Sequence, residues 1–283
     1  MKDIEFVKAV ASGNDFIIID RFAIRPACRQ AGNTHDVRYT KLARELCRRK
    51  LSVGADGLLL IERSKKADLK MRIFNPDGSE VDMCGNGSRC VALYAHQNKI
   101  VSGRQMVIET KAGNLQAEVK GGRVKIKMSR PEDLRLKFDL DIDGQSYNVS
   151  YLNTGVPHVV CFVQELGSFD VEEKGKAIRY HPEFQPEGTN ADFAKVLDKG
   201  HIQVRTYERG VEQETLSCGT GCVAAGIITS YQMRQEPRGR YRIKVDTQGG
   251  ETLSVYFNIE NNNIDDVYLE GKVEIVYKGG LHV

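Results

Sequence analysis

The chain has 283 residues, of which 41% are hydrophobic and 28% charged, a length that suits one large or two medium domains with a real core. Its 41 basic and 38 acidic residues leave a net charge of +3, too small to indicate a nucleic-acid-binding surface, and no stretch approaches the roughly 18–20 apolar residues of a membrane span. The first residues lack an apolar signal core and the seven cysteines are an odd number, so we expect a cytoplasmic protein with thiols rather than a disulfide framework.

Short strands and one helix are predicted in the first half of the chain. Apolar runs at residues 4–7 and 16–19 flank Gly13-Asn14-Asp15 and predict a hairpin. Apolar residues at a 3.6-residue period predict a helix from about Asp36, a candidate N-cap, to Arg49. Further strands are predicted at residues 58–61, 71–74, 105–110, 115–119 and 124–128.

The pattern becomes charged and irregular at residues 129–133, where we place a crossing between two domains. Beyond it the chain returns to short strands. These are predicted at residues 147–152, 158–163, 190–196, 202–207, 241–246, 252–259 and 267–277. Many short strands with few helices predict an α+β protein that is rich in mixed or antiparallel sheet.

Two segments of the chain resemble each other. They are Cys84-Gly85-Asn86-Gly87 and Cys218-Gly219-Thr220-Gly221. Each precedes a run that is apolar on every face, at residues 90–94 and 222–228, which predicts a helix buried inside its domain. The two cysteines lie 134 residues apart (218 − 84), close to half the chain, so the sequence predicts an internal duplication with one motif per domain.

Each motif combines an anion site with an activated thiol. Paired glycines allow backbone conformations closed to other residues and let a ligand approach the main chain. Main-chain N–H groups at a helix start bind a carboxylate or phosphate, and a cysteine there is stabilised as a thiolate. Two copies facing each other across a domain interface would place a thiolate and a thiol on opposite sides of one carbon. A proton could then leave one face and return to the other.

Other interpretations of the cysteines remain open at this point. Buried cysteines usually pack as small hydrophobes. A zinc site of Cys84, Cys90, Cys218 and Cys222 is disfavoured, because separations of six and four residues do not give the usual Cys-x2-4-Cys pair in both halves. The chain also lacks the Gly-Lys-Ser/Thr of a phosphate loop and any Cys-x-x-Cys redox pair. The duplication favours catalysis over these alternatives.

Over nearly its whole length the chain resembles the diaminopimelate epimerase family, which are cofactor-independent, two-cysteine amino-acid racemases and epimerases. The motifs that carry the resemblance, in the family order, are Ser12-Gly13-Asn14-Asp15-Phe16, Gly54-Ala55-Asp56-Gly57, Arg72-Ile73-Phe74-Asn75-Pro76-Asp77-Gly78-Ser79-Glu80, Gly155-Val156-Pro157-His158, Gly188-Thr189-Asn190, Arg205-Thr206-Tyr207-Glu208-Arg209-Gly210 and the two cysteine motifs. The resemblance implies two pseudo-symmetric domains, each a mixed or antiparallel sheet around a central helix, with the site in the cleft between them. It also implies that the last strand returns to the first domain, so the expected domains are 1–129 with 268–283, and 130–267.

The implied activity is epimerisation of LL-2,6-diaminopimelate to meso-diaminopimelate, a step of lysine and peptidoglycan precursor biosynthesis. It uses no pyridoxal phosphate, no other cofactor and no metal. Cys84 and Cys218 match the family's catalytic cysteines, one acting as the thiolate that removes the α-proton and the other as the thiol that returns it. The expected partners are the amino-acid substrate and a second copy of this chain, with no nucleic acid and no membrane.

Ten further positions match family residues that hold the substrate. Main-chain N–H groups for the reacting carboxylate correspond to Gly85-Asn86 and Gly219-Thr220. Residues for the amino groups and the distal carboxylate correspond to Asn14, Asn75, Asn190, Glu208 and Arg209, and His158 matches a site histidine that supports the thiols or the substrate amine. Simpler interpretations are turn asparagines, a solvated Glu208-Arg209 turn and a structural histidine. Asp56 and Asp77 are interpreted as structural residues of glycine turns, and Cys28, Cys47, Cys90, Cys161 and Cys222 as packing residues.

Two positions depart from a common family pattern. Gly57 stands where many relatives have glutamine, and Val156 stands where many have an asparagine that contacts the distal end of the substrate. The valine leaves a related racemase, acting on another substrate such as histidine, as the alternative, although Asn75 and Arg209 favour a distal carboxylate. Rivals of other classes are a non-catalytic amino-acid-binding or thiol-redox protein, and an isomerase of the phenazine-biosynthesis type, a branch that lacks the cysteine pair.

Overall fold

The computed structural model describes residues 3–22, 34–233 and 237–282. These residues form two compact units, Met1–Ile126 with Gly271–Val283 and Lys127–Glu270, here called unit 1 and unit 2. The chain therefore leaves unit 1 once, builds unit 2, and returns to unit 1 with its last segment. Within the described ranges, no helix has both the length and the apolar character needed to cross a membrane.

Unit 1 is built mainly of strands, with two helices between them. Its elements are β1 (Asp3–Ala11), β2 (Asn14–Asp20), α1 (Thr34–Leu46), β3 (Gly57–Glu62), β4 (Leu69–Phe74), β5 (Glu80–Val81), α2 (Gly85–Gln97), β6 (Gln105–Thr110), β7 (Gly113–Lys120), β8 (Arg123–Lys127) and β18 (Glu274–His282). The last strand, β18, pairs antiparallel with β1, so both ends of the chain contribute to the same sheet.

Unit 2 is likewise built mainly of strands, with two helices between them. Its elements are β9 (Glu132–Ile142), β10 (Gln145–Asn153), β11 (Pro157–Phe162), α3 (Val171–Arg179), a 3₁₀ turn (Pro182–Phe184), β12 (Asn190–Asp198), β13 (His201–Glu208), β14 (Gln213–Thr215), α4 (Gly219–Met233), β15 (Gly239–Thr247), β16 (Thr252–Glu260) and β17 (Asn263–Lys272). Strand β9 pairs antiparallel with β10, as β18 pairs with β1 in unit 1.

The two units repeat one order of strand pairings. In unit 1, β1–β2 is antiparallel, β2–β3 parallel, β3–β4 antiparallel and β4–β6 parallel, and β6, β7 and β8 follow as an antiparallel meander. In unit 2, the strands from β10 to β17 repeat this series pair by pair. The helices α3 and α4 also fall at the places of α1 and α2. This repetition supports the predicted internal duplication, and each strand has its counterpart nine strands later.

A buried helix lies at the centre of each unit. Helix α2 packs against β1, β2, β3, β4, β6, β7 and β18, and α4 packs against β10, β11, β12, β13, β15 and β16. Ten consecutive residues of each helix are buried, 86–95 in α2 and 221–230 in α4. The predicted α+β architecture, a sheet wrapped around a central helix in each half, is therefore confirmed. The helices lack a polar face because sheet surrounds them.

Some predicted elements are wrong in detail. The strand predicted at 267–277 is two strands, since β17 ends at Lys272 and β18 begins at Glu274. Helix α1 starts at Thr34, so Asp36 lies inside the helix and is not its N-cap, and it ends at Leu46, whose carbonyl accepts from Gly54. Strand β9 and helix α3 were not predicted. Most side chains of β9 are exposed, so they show no apolar alternation.

The predicted first hairpin is confirmed, but its turn lies one residue earlier than expected. Ser12 and Gly13 both have positive φ, 50° and 83°, which is the backbone of the tight turn that matches strand twist. The residues that pair across the turn are Ala11 and Asn14. Asn14 is therefore the first residue of β2 and not part of the turn.

The packing cysteines fall into the core as expected, with one outside the described residues. Cys47, Cys90, Cys161 and Cys222 are all at most 3% exposed. Burial raises the pKa of Cys47 and of Cys161 to about 11, so both remain thiols at neutral pH. Cys28 lies outside the described ranges.

Candidate active site

Both cysteine motifs lie at the start of a central helix, as predicted. Helix α2 begins directly after Cys84, and α4 begins directly after Cys218. The carbonyl of each cysteine accepts the first helical hydrogen bond, from Ser88 at 2.8 Å and from Cys222 at 2.9 Å. The main-chain N–H groups of the first turn have no carbonyl partner within their helix, so each start can bind an anion.

Cys84 is the N-cap residue of α2. Its backbone is extended, with φ −141° and ψ 121°, and its Sγ accepts from the N–H of Gly87 at 3.5 Å. The side chain is half-buried. A sulfur in this position faces the positive end of the helix dipole, which favours the thiolate form.

Cys218 has very different surroundings. It is 6% exposed, and its Sγ lies 3.4 Å from Oγ1 of Thr220. Burial, followed by the negative charges of Glu208 and Asp192, raises the pKa of Cys218 well above its usual value, outweighing the hydrogen bonds of Thr220 and Gly221. At neutral pH this cysteine is therefore a thiol.

The second glycine of each motif is required for space and not for backbone conformation. All four, Gly85, Gly87, Gly219 and Gly221, lie in the described ranges and none has a positive φ, so the conformational reason inferred from the sequence is wrong. A Cβ on Gly87 would lie 3.1 Å from Cδ2 of Leu59. A Cβ on Gly221 would overlap the carboxylate of Asp192. The second glycine of each motif thus lets a strand side chain pack against the first turn of the helix.

Gly221→Ala is expected to lower the free energy of unfolding by at least about 1–3 kcal/mol, the usual cost of overpacking. The reason is that the new methyl group would displace the buried carboxylate of Asp192. Gly226→Ala in the same helix is the matched control, because its Cβ would be 3.4 Å from Val255, an ordinary contact, and alanine is the better helix former. Chemical denaturation of both variants checks this. Equal stability of the two would contradict the steric argument.

Asn14 and Asn86 form a direct pair in unit 1. Nδ2 of Asn86 donates to Oδ1 of Asn14 at 2.7 Å, and Nδ2 of Asn14 donates to Asp56 at 3.2 Å. Oδ1 of Asn86 accepts from the fully buried Arg89 at 2.6 Å, and Arg89 also donates to Ser12 at 2.6 Å. Asp56 therefore orients a candidate substrate-binding residue, a role beyond the structural turn residue that the sequence indicated.

The other end of this network is an ionic cluster around Asp15. Its carboxylate contacts Nζ of Lys8 at 2.7 Å and the guanidinium of Arg49 at 2.6 Å, and Arg49 also reaches Asp56 at 2.7 Å. Burial raises the pKa of Asp15, but the hydrogen bonds and charges of Lys8 and Arg49 outweigh it and lower the pKa to about 2. The cluster fixes the start of β2, where Asn14 lies.

Protonation of Asp15 is expected to lower the stability of the protein in acid. Its pKa is lower in the folded protein than in the unfolded chain, so its contribution is present above about pH 4 and is lost as pH falls toward 2. Asp15→Asn should lower the free energy of unfolding by about 2 kcal/mol at pH 7 and by much less near pH 2. Urea denaturation of wild type and variant across this range measures the difference. A constant difference at all pH values would refute the assignment.

Asn75 lies at the turn that follows β4. Its Nδ2 donates to Oγ of Ser79 at 3.1 Å, and its main-chain N–H and carbonyl bond to Ser79 and Gly78. The side chain is half-buried. These hydrogen bonds agree with the interpretation of Asn75 as a turn asparagine. Asp77 accepts from Ser79 in the same turn and remains structural.

Asn190 and Arg209 are coupled in unit 2. Oδ1 of Asn190 accepts from the main-chain N–H of Arg209 at 2.8 Å, while its Nδ2 donates to the carbonyl of Pro157 at 2.8 Å. The guanidinium of Arg209 donates to the carbonyl of Glu187 at 3.0 Å. Asn190 thus ties together the starts of two strands and the end of a third, and it is not merely the first residue of β12.

Glu208 ends β13 beside these residues and is half-buried. Its carboxylate accepts from Oγ1 of Thr215 at 3.0 Å. Burial raises the pKa of Glu208, with the nearby Asp192 charge acting in the same direction and Thr215 and His158 opposing it. The simpler interpretation of Glu208 as part of a solvated turn is therefore wrong, because this side chain is half-buried.

His158 is the most enclosed of the predicted site residues. Its ring is completely buried, and Nδ1 lies 2.7 Å from Oδ2 of Asp192, which is also completely buried. Sequence reasoning missed Asp192. The signal was present, since Asn190 and Asp192 are alternate residues on one face of a strand that is otherwise apolar up to Ala194.

The two departures from the family pattern have a local structural context. A Cβ on Gly57 would lie 3.1 Å from the carbonyl of Phe74 and in ordinary contact, at 3.4 Å, with the ring of Phe16, so a glutamine would require the carbonyl of Phe74 to shift. Val156 lies between β10 and β11, where its carbonyl accepts from Thr154 at 3.1 Å.

Among the described residues, no group of three or more His, Cys, Asp or Glu side chains is arranged to hold a metal ion.

Comparison with known proteins relates this chain to enzymes. The sequence model of diaminopimelate epimerase matches residues 6–132 and 150–276. A diaminopimelate epimerase of Aquifex aeolicus is 39% identical over 285 residues, which cover 98% of this chain and 97% of the relative. One of Archaeoglobus fulgidus is 40% identical over 292 residues, covering 99% and 97%.

Solved structures share the fold at lower identity. A phenazine biosynthesis protein of the PhzF family from Bacillus anthracis has a TM-score of 0.72 at 18% identity and covers 100% of both chains. A probable proline racemase from Agrobacterium radiobacter K84 has a TM-score of 0.65 at 17% identity, covering 99% of this chain and 93% of the other. At these identities the likeness shows the fold alone.

Proposed function

Because the chain belongs to the diaminopimelate epimerase family, we propose that it epimerises LL-2,6-diaminopimelate to meso-diaminopimelate. The observation that carries the proposal is the placement of one cysteine at the N-terminus of the buried helix of each unit. A binding or redox protein of this fold would not need that duplication of a thiol beside an anion site.

The two cysteines divide the proton transfer between them. In the LL to meso direction, Cys84 as a thiolate takes the α-proton, and Cys218 as a thiol gives one back to the opposite face of the carbon. The different surroundings of the two sulfurs support this order. Cys84 accepts from an N–H at a helix start, whereas burial and two carboxylates keep Cys218 protonated.

The main-chain N–H groups of Gly85-Asn86 and of Gly219-Thr220 bind the reacting carboxylate. Removing an α-proton builds negative charge onto that carboxylate, so donors placed there stabilise the transition state more than the substrate. Each well-placed oxyanion donor is worth about 2.7–4 kcal/mol. This stabilisation takes the place of the electron sink that pyridoxal phosphate provides in other racemases.

The remaining predicted residues recognise the rest of the substrate. In the proposal Asn14, Asn75, Asn190, Glu208 and Arg209 hold the amino groups and the distal carboxylate, with Arg209 suited to a bidentate pair. The side chain of Val156 cannot form a hydrogen bond, so recognition of the distal end depends on the other groups. Asn190 already holds the backbone of Arg209 in place for this. The histidine alternative is not favoured, because the relatives are named diaminopimelate epimerase.

The experiment that tests the function follows α-proton exchange. Purified protein in reducing buffer and D₂O is given LL-diaminopimelate, and deuterium incorporation and meso-isomer formation are measured by mass spectrometry and chiral chromatography. We expect both with diaminopimelate and neither with L-histidine in the parallel reaction. Absence of α-deuterium from diaminopimelate would disprove the function, and exchange with histidine alone would assign the chain to the alternative branch.

Three further expectations belong to the same proposal. The thiolate and thiol must both stay reduced, which suits a cytoplasmic location. The chemistry assigned to the two cysteines requires no cofactor. A second copy of the chain as a partner remains a prediction, and sedimentation of the purified protein tests it.

A further inference from the structure

Equivalent positions of the two units differ in a systematic way. The parallel pairing of β2 with β3 begins at Phe16 and Gly57, and the parallel pairing of β11 with β12 begins at His158 and Asn190. These strand pairs are counterparts in the repeated topology. Phe16 of unit 1 therefore occupies the position that His158 occupies in unit 2.

Two neighbouring positions are likewise apolar in unit 1 and polar in unit 2. Leu59 lies two residues after Gly57, as Asp192 lies two residues after Asn190. Their antiparallel partners on the next strand are Ile73 and Thr206. Unit 1 thus has Phe, Leu and Ile where unit 2 has His, Asp and Thr.

The central helices confirm this equivalence independently of the strand registers. A Cβ added to Gly87 in α2 would meet Leu59 and Ile73. A Cβ added to the corresponding Gly221 in α4 would meet Asp192 and Thr206. In both units the pair packs against the second glycine of the cysteine motif.

Packing alone does not require the three polar residues of unit 2 (His158, Asp192 and Thr206), here called the polar set, because unit 1 has an apolar set (Phe16, Leu59 and Ile73) at the same positions. All six side chains, Phe16, Leu59, Ile73, His158, Asp192 and Thr206, are at most 4% exposed. The apolar set of unit 1 fills this place in the same fold, and burying a carboxylate and an imidazole costs free energy that aliphatic side chains avoid. The polar set of unit 2 therefore has a role other than filling the core.

Hydrogen bonds within the set fix the histidine ring. Oγ1 of Thr206 donates to Oδ1 of Asp192 at 2.8 Å, and Oδ2 of Asp192 lies 2.7 Å from Nδ1 of His158. An ionised carboxylate can only accept, so Nδ1 must carry the hydrogen. Nε2 of His158 is buried and has no hydrogen-bond partner among the described residues. Buried polar atoms are normally paired, so such an atom indicates a ligand or a catalytic role.

We propose that Asp192 is a positioning residue that holds His158 with its hydrogen on Nδ1, so that Nε2 is the hydrogen-bond acceptor in the substrate complex. The device belongs to unit 2 alone, because unit 1 has Phe16 and Leu59 in its place. Thr206 holds the second carboxylate oxygen and keeps Asp192 against the first turn of α4. This inference deepens the proposed function and rests on it.

Asp192→Asn is the direct test, because it keeps the shape and removes the charge. An asparagine can turn its NH₂ group toward Nδ1 and favour the tautomer with hydrogen on Nε2. In a Ser-His-Asp triad the same change lowers kcat about 10⁴-fold for this reason. We expect kcat for α-proton exchange to fall at least about 100-fold, as for loss of a general acid or base. The ¹⁵N spectrum of the imidazoles reports the tautomer, and His158→Gln identifies the His158 signals among the six histidines.

Two control variants separate positioning from structure. Thr206→Val removes the other hydrogen bond of the carboxylate and should cost less than about tenfold in kcat, with the tautomer unchanged. Asp192→Leu with Thr206→Ile installs the apolar pair of unit 1, and it should fold stably yet lose exchange like Asp192→Asn. This double variant keeps the test valid if Asp192→Asn unfolds.

The inference is overturned by a wild-type spectrum with the hydrogen only on Nε2. It is also overturned if Asp192→Asn keeps kcat within about tenfold of wild type, or loses activity only in proportion to its stability with the tautomer unchanged. If the wild type shows no exchange, the proposed function fails, and the tautomer of His158 in wild type and variant still decides the role of Asp192.

Discussion

Replacing either Cys84 or Cys218 by alanine is expected to lower the rate of epimerisation by at least about 10³-fold, within the range for loss of a general acid or base. In the proposed mechanism each cysteine has its own part in the proton transfer, so neither can compensate for the other. Deuterium incorporation at the α-carbon and appearance of the second isomer are followed in the same reaction. The double variant should be no slower than either single variant, because groups that act as a unit are not additive.

Cys90→Ala and Cys222→Ala are the matched controls. Both cysteines lie in the same central helices, are completely or almost completely buried, and serve as packing residues. These variants should lose some stability and keep most of the activity, with thermal melts recorded for all four single variants. A Cys84 or Cys218 variant that stays within about tenfold of wild type would contradict the two-base mechanism.

The rate is expected to rise and then fall with pH, because one sulfur must be a thiolate while the other is a thiol. The two apparent pKa values belong to the coupled pair. Burial and the charges of Glu208 and Asp192 raise the pKa of Cys218 well above 9.0. Deprotonation of Cys218 removes the acid, so the alkaline fall in rate should lie above pH 9, and a rate that keeps rising with pH would exclude this assignment.

Glu208→Gln should move the alkaline limb to lower pH. A nearby carboxylate disfavours the thiolate, so removing its charge lowers the pKa of Cys218, although burial still keeps it raised. Glu208→Asp retains the charge and is the control. Since both variants are expected to lose activity, the pH dependence of Cys218 alkylation in substrate-free protein, measured on its peptide, gives the comparison. An unchanged or higher pKa in Glu208→Gln would show that the carboxylate does not act on this thiol.

Most of the candidate site could be proposed from the sequence because its residues lie in local motifs. Cys84 and Cys218 each precede two glycines and an apolar run. A run that is apolar on every face predicts a buried helix. The strands followed from short apolar runs and turn residues. Where those signals are weak, as in the mostly exposed β9, prediction failed.

The reason for the motif glycines could not be predicted. The sequence indicated a conformational need, whereas the structure gives a steric one, with Leu59 against Gly87 and Asp192 against Gly221. These partners lie 28 and 29 residues away along the chain. No local pattern specifies which side chain a parallel strand will place against a helix start.

The fold class, the duplication and the two cysteine motifs are all visible in the sequence, since each depends on periodicity or on residues adjacent in the chain. The electrostatic difference between the two halves is visible only in the folded protein. Equivalent strands place Leu59 beside Gly87 and the carboxylate of Asp192 beside Gly221, and that carboxylate acts together with burial and Glu208 to raise the pKa of Cys218. Protonation depends on burial and on charges brought together from separate strands, and both exist only once the chain has folded.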